Sequence, residues 1–493
     1  MATEKGHTLV MKSIAILVLG SFSYPDVSTF GAICILPIAL ILANSLIKGD
    51  IFSFLLQIFI GCHFTYGKQI GGIYTLAGSL AIIIFVFIGR DLQRKNRIKS
   101  SLSSVQKNVL YSLLFLQIVS LTANSPYDDY KKIISILFFF SVVTIFIFGS
   151  RLNITEKDCK RFINIIFFTS VYMLLVALNQ IYQLIPENPL MPTYENGLFE
   201  KNIFRSSGTL LNFEFFGEYS LGIILLLLPG TISGSFKRLG NFTHKASIAT
   251  IVISCYSIIL SGTRSSLLLL PIFFIVILFK YNSYIKYYKL AFISILLIIP
   301  ITLIDFNSFI DLDSFSNRNE NLKGISLDKV LSGEAINRGA TFTYGIQKIG
   351  TKIQNGSLII GEGYYTTRDE YKKTHFDKLE IIFPDYHNFY MSSIILWGLP
   401  GALLFIYFFA SFVFKGIQAS NSYKSNNIYG DLIFGYNLLF VSILINQFKI
   451  QFIRDSNYFT LLFVLLIIYS NLSRATGLYK SKKIVSHESN VVY

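Results

Sequence analysis

The sequence predicts an all-α, polytopic integral membrane protein of about 14 transmembrane helices with one large extracytoplasmic loop. Three observations carry this. Apolar runs of roughly 17–25 residues recur along the chain, each long enough to cross a ~30 Å hydrocarbon core as a helix. Only 14% of the 493 residues are charged and 52% are hydrophobic, where a soluble domain carries about 25% charged residues; mean hydropathy is +0.54. Lys and Arg, finally, crowd into alternate short loops, the pattern that orients helices in a bilayer.

Taken in order, the apolar runs predict helices at about 9–24, 27–48, 51–66, 70–90, 108–124, 132–150, 161–186, 211–235, 246–263, 266–281, 289–305, 388–415, 430–448 and 457–474. The first is followed by more runs of the same kind and has no small-residue cleavage site, so it reads as a retained helix and not a removed signal peptide. The first and third are short. The ninth and tenth are separated only by a polar break at Thr263-Arg264. The expected organisation is 1–304 for helices one to eleven, 305–387 for a large extracytoplasmic loop, and 388–493 for three more helices and a basic tail.

The formal net charge is +15, which in a soluble protein would raise nucleic-acid binding. Here its placement argues for topology, and no nucleic-acid partner is expected. With the N-terminus inside, 25 of the 43 Lys and Arg fall in inside segments, 8 in short outside loops and 10 in the long loop. That asymmetry places both termini in the cytoplasm and the long loop outside. The long loop carries 12 acidic against 10 basic residues, so it is no polybasic membrane clamp. Cys34, Cys62 and Cys255 fall in apolar runs and Cys159 in a short basic loop. Without metal-ligand spacing they suggest neither a disulfide framework nor a metal site. No Walker or dinucleotide fingerprint occurs, and no cofactor is expected.

Four polar segments interrupt the apolar pattern on the predicted outer side. Arg205-Ser-Ser-Gly208-Thr209…Asn212-Phe-Glu214 leads into the eighth helix, where Glu214 and Glu218, four apart, share a face. A carboxylate at membrane depth is costly and marks a candidate functional group. Ser261-Gly-Thr-Arg264 joins two apolar runs, and Arg264 is the sole charge for many residues on either side. Arg338 lies in a segment able to form an amphipathic helix along the membrane surface, followed by Gly361-Glu-Gly363, whose glycines permit a tight turn and close backbone approach to a ligand. His387-Asn388…Gly398-Leu399-Pro400-Gly401 leaves the long loop and enters the twelfth helix. Arg205, Arg264 and Arg338 share the outer interface with His387. Guanidinium groups grip phosphate oxygens in a bidentate way, or else snorkel to the interface. Histidine is the side chain most easily poised as a base near neutral pH, or else serves a structural role.

Together these segments resemble the O-antigen ligase and polymerase superfamily of bacterial membrane glycosyltransferases. The resemblance rests on four elements in the family's order over about 200–470: Arg205…Gly208-Thr209…Asn212, Ser261-Gly-Thr-Arg264, Gly361-Glu-Gly363, and His387-Asn388…Gly398-Leu399-Pro400-Gly401. It implies a donor glycan on undecaprenyl diphosphate, transferred outside the cytoplasmic membrane to an acceptor hydroxyl with the diphosphate lipid as leaving group, so no nucleotide sugar is needed. On that reading Arg205, Arg264 and Arg338, with Asn388, bind the diphosphate. His387 takes the acceptor proton, and Glu214 and Glu218 are the alternative bases. The acidic pair departs from ligase-like members, which continue apolar there. With the helix number and the Phe/Ile/Tyr-rich composition, it favours a polymerase, which joins lipid-linked repeat units, over a ligase, which hands glycan to lipid A–core. The expected partners are the lipid-linked donor and acceptor, the bilayer and a chain-length regulator protein. A lipid-linked glycan flippase is a further alternative, but two similar halves and charges buried within the spans, usual in flippases, are not apparent in the sequence.

Overall fold

The computed structural model describes residues 6–21, 29–64, 72–88, 100–125, 129–186, 206–210, 212–281, 338–364, 388–421, 427–449 and 451–488. These form an all-helical fold: α1 (Gly6–Ser21), α2 (Thr29–Ile47), α3 (Ile51–Phe64), α4 (Ile73–Ile88), α5 (Ser104–Ala123), α6 (Asp129–Gly149), α7 (Glu156–Tyr182), α8 (Phe213–Ser233), α9 (Asn241–Ser261), α10 (Arg264–Tyr281), α11 (Arg338–Gln354), α12 (Phe389–Asn421), α13 (Ile428–Asn446) and α14 (Ser456–Glu488). Among the described residues, 8 helices are long and apolar enough to cross a membrane, and α1 to α4 supply shorter apolar stretches. α5 overlaps the helix expected at 108–124 but carries Gln106, Lys107, Asn108 and Gln117. The helix expected at 289–305, and most of the expected loop, lie outside the described residues.

Caps explain where helix ends differ from expectation. α7 begins at Glu156, earlier than 161, because Thr155 and Asp158 form a reciprocal capping box. Cys159, expected in a basic loop, therefore sits buried within α7. Ser103 and Gln106 start α5 at Ser104 in the same way. Gly262, at φ 60°, ends α9, a left-handed conformation that glycine adopts without penalty. The break expected near Thr263-Arg264 is thus a real helix boundary. α12 is longer than expected and is broken at Gly398 (φ 72°, ψ 173°).

α8 and the apolar part of α14 are the innermost helices, each buried over 94% of its apolar window, against 39% for α10. The short connections gather at two ends of the bundle. At one end, Ser101 N–H donates to the Ser150 carbonyl at 2.7 Å, Leu152 N–H to Asn471 at 3.2 Å, Arg161 pairs with Asp50 at 3.3 Å, and Lys415 donates to Gln106 at 2.7 Å. At the other, Ser206 N–H donates to the Leu260 carbonyl at 2.9 Å, Thr263 to the Phe213 carbonyl at 3.0 Å and Asn388 to the Phe448 carbonyl at 3.2 Å. These groupings match the alternation read from Lys and Arg. All four interrupted segments reach the second end, called here the motif end.

Helix α11 occurs where the amphipathic helix was expected. Lys348 and Lys352 turn inward to Glu362, at 2.7 and 3.4 Å, while Ile346 and Ile353, a heptad apart, are exposed.

Candidate functional site at the motif end of the bundle

The site is built around the first turns of α8. Asn212 caps the helix, its side-chain oxygen accepting from Glu214 N–H at 2.7 Å; this satisfies one of the orphan donors of the helix start. The preceding turn is held by Gln180 of α7. Its carbonyl oxygen accepts from the Ser206 hydroxyl at 2.6 Å and from Ser207 N–H at 3.1 Å, and its amide donates to the Gly208 carbonyl at 2.9 Å. The Ser206-Ser207-Gly208-Thr209 stretch is thereby fixed against α7.

Gly217, between the two glutamates, brings the second motif in. A Cβ there would lie 2.5 Å from the Thr263 hydroxyl and 2.7 Å from that of Ser261. The bare backbone lets the Ser261–Arg264 turn press against α8, where Thr263 bonds the Phe213 carbonyl. The starts of α8 and α10 consequently lie side by side, and both direct the positive ends of their helix dipoles to the motif end. Arg264 is the first residue of α10 and is partly buried.

Both glutamates are buried, Glu214 at 4% and Glu218 at 1% relative exposure. Glu218 accepts from the Tyr458 hydroxyl at 2.6 Å and from the Gln447 amide at 3.2 Å. It thus ties α8 to α14 and to the turn after α13. Glu214, one turn earlier, pairs with Lys449 at 3.3 Å. The pair is lopsided, for the lysine side chain is 35% exposed and the carboxylate 4%.

The Gly361-Glu-Gly363 element does something other than expected. Gly361 approaches the α12 backbone and Gly363 the Leu121 side chain. Glu362 and Gly363 N–H donate to the Ile395 and Leu396 carbonyls at 3.0 and 2.8 Å, and Leu399 N–H donates to the Leu358 carbonyl at 2.9 Å. The segment lies along the break in α12 and takes up backbone groups that Gly398 frees. A Cβ on Gly361 would collide with the Leu396 carbonyl, and one on Gly398 with the Ile359 carbonyl. Gln117 locks the arrangement: its oxygen accepts from Tyr364 N–H at 3.1 Å and from the Trp397 indole at 2.6 Å, and its amide donates to the Tyr364 carbonyl at 2.9 Å. The end of the polar segment is therefore pinned to the bundle.

Of the residues singled out in the sequence, Glu214, Glu218, Arg264 and Asn388 are described with their side chains. Asn388 caps α12 through Met391 N–H at 3.0 Å and bonds the Phe448 carbonyl, in the same turn as Lys449. Arg338 starts α11, but its side chain lies outside what is described. Arg205 and His387 also lie outside the described residues, each directly preceding a residue fixed at the motif end, Ser206 and Asn388. Lys449, Gln180, Gln117, Gln447 and Tyr458 belong to this end of the bundle without standing in any of the four sequence elements. Polar side chains inside apolar runs were the available signal for Gln117 and Gln180; for Lys449 there was none beyond its place in an outer loop.

Residues 249–406 match the family model described as O-Antigen ligase. This match supports the resemblance to the O-antigen ligase/polymerase superfamily. No curated protein matches the chain. The matched stretch takes in the second half of α9, the Ser261–Arg264 turn, the 361–363 segment, His387-Asn388 and the broken part of α12. The acidic start of α8 precedes it in sequence and packs against it in space. The helices are those of a multi-pass membrane protein, and the matched family implies a glycosyltransferase-like activity on lipid-linked glycans. Such an activity needs cations for an anionic leaving group and an acceptor for one proton. The motif end gathers candidates for both within a few residues of the start of α8.

Proposed function

We propose that the protein polymerises oligosaccharide repeat units carried on undecaprenyl diphosphate, at the outer face of the cytoplasmic membrane. The observation that carries this is the buried carboxylate pair Glu214/Glu218, set where the Arg205–Asn212 and Ser261–Arg264 elements meet. Buried ionisable groups at membrane depth are expensive and are kept for function.

In the reaction, the acceptor hydroxyl oxygen attacks the anomeric carbon of the donor. The bond from that carbon to the diphosphate oxygen breaks, and its electron pair leaves with the diphosphate lipid. Arg205, Arg264 and Arg338 neutralise the departing charge, an electrostatic contribution made where charge develops. His387 accepts the hydroxyl proton. Glu218, fixed by Tyr458 and Gln447, holds the geometry of the acidic turn, and Glu214 faces the ligand side with Lys449. The motif end faces outward and both termini lie in the cytoplasm, as the Lys and Arg distribution requires.

The test is His387→Ala in cells, read by glycan length and by membrane abundance. A general base contributes roughly 10²–10⁴-fold, so transfer collapses while the protein remains inserted at normal levels. A polymerase then accumulates lipid-linked single repeats. Full-length lipid-linked polymer would instead identify a ligase, and normal chains at normal abundance would remove His387 from the mechanism.

A further inference from the structure

We propose that Lys449 is a diphosphate-binding residue held in reserve by Glu214, so that donor binding exchanges one anionic partner of this lysine for another. The inference rests on the reading above that a polyprenyl diphosphate enters the motif end.

The geometry of the pair is what a structural ion pair lacks. Glu214 is buried at 4%, while the Lys449 side chain is 35% exposed and 3.3 Å away. The lysine side chain thus runs from the protein surface to a fixed interior charge. Lys449 lies in the turn that ends α13, its N–H donating to the Asn446 carbonyl at 2.8 Å, so a four-carbon stem on a short turn carries the charge. Three further features lie at the same end of the bundle. Glu214 stands at the start of α8, beside the start of α10 through the Thr263–Phe213 bond of 3.0 Å, and two helix N-termini side by side favour an anion. Asn388, next to His387, anchors to Phe448, the neighbour of Lys449. Thr209 and Ser266 are buried with hydroxyls that have no hydrogen-bond partner among the described residues.

A diphosphate approaching this spot meets the Glu214 carboxylate as a like charge. Lys449 removes that repulsion by standing between them, and it stays solvated enough to turn outward at little cost. Glu214 is then a positioning residue: it keeps the ammonium at the mouth of the site when no donor is bound, and it competes with the diphosphate for it. The competition gives the two members of the pair effects of opposite sign.

The experiment measures binding of geranylgeranyl diphosphate to the purified full chain in detergent, per folded molecule. Lys449→Met is expected to weaken binding about 10- to 100-fold, the range for losing a charge-assisted contact. Glu214→Gln is expected to tighten it about two- to fivefold, since it frees the lysine from a partly exposed pair. The double variant should bind as Lys449→Met does. Lys449→Met takes a cation away from a buried carboxylate and lowers the yield of folded protein; the double variant removes both charges, and with Glu214→Gln it carries the test. A merely structural pair lowers thermal stability in both single variants and leaves binding per folded molecule unchanged, which would overturn the proposal. So would weaker binding in Glu214→Gln. Failure of the wild-type chain to bind the probe would overturn the diphosphate reading itself and this proposal with it, a result distinct from wild-type binding that neither variant alters.

Discussion

The two ends of α8 solve the same problem differently. At its C-terminal end, Ser233 donates to Asp431 of α13 at 2.5 Å, and Tyr281 of α10 donates to the other carboxylate oxygen at 2.5 Å. At its N-terminal end, Glu218 receives the Tyr458 hydroxyl and the Gln447 amide. Each is a buried carboxylate gripped by a tyrosine and one more donor, and each joins three segments of the bundle. Buried polar groups must be satisfied in this way, since an unmet one costs free energy. The ends part company one turn further on. Beyond Glu218 stands Glu214, whose partner is a half-open lysine. Near Asp431 the corresponding cation, Lys280, rests on the Phe434 ring at 3.9 Å and closes the cluster. A closed carboxylate is architecture, whereas a carboxylate with an open cation has something left to exchange. Only the motif end has the second arrangement among the described residues.

The most incisive way to break this comparison is to change both anchors conservatively. Glu218→Gln, by loosening the turn that positions Glu214 and Lys449, is expected to lower transfer about 100-fold at normal membrane abundance, whereas Asp431→Asn leaves chain length per molecule unchanged and costs about 1–3 kcal/mol of stability. Glycan length together with thermal unfolding in detergent separates them. Equal behaviour of the two variants would mean that Glu218 is architecture as well. Next in size is Gly361→Ala, which forces the pinned segment off the α12 break. Overpacking of this kind costs about 1–3 kcal/mol, so we expect reduced abundance and greater protease sensitivity after residue 364, again with no counterpart at the Asp431 end. A smaller effect is expected from Arg264→Lys, which keeps the charge and loses the planar fork; donor binding should fall about tenfold. Unchanged binding would assign Arg264 to the interface. The last check changes no activity: single cysteines at Ser314 and Ser101 should label from outside only at Ser314. The reverse result would turn the two ends around.

Much of the helix pattern was legible because the bilayer and the backbone together allow few options. A stretch that satisfies its own hydrogen bonds and is apolar for long enough must be a helix, and thirteen of the expected positions fall on helices. The ends were less legible. Cys159 was read as a loop residue because Glu156, Lys157 and Asp158 look like a polar connection; the Thr155–Asp158 capping box makes them the first turn of α7. The Gly361–Gly363 element was read as a ligand cradle because a glycine reports only that something comes close. What comes close is the Leu396 carbonyl at Gly361 and the Leu121 side chain at Gly363.

The sequence by itself determined that this is a multi-pass helical membrane protein with a stretch, 249–406, that matches the O-antigen ligase family. It also determined which loops share an end, because hydropathy, charge placement and motif order are local properties of a chain. Only the tertiary structure decided which polar groups answer one another. Glu218 and Tyr458 are 240 residues apart, and Gln117 and Tyr364 are 247 apart. No periodicity links such positions. Their pairing follows from helix packing, which brings buried donors and acceptors within reach and makes each one left alone costly. The same packing set Lys449 against Glu214 rather than in open water, and so turned an ordinary loop lysine into part of the site.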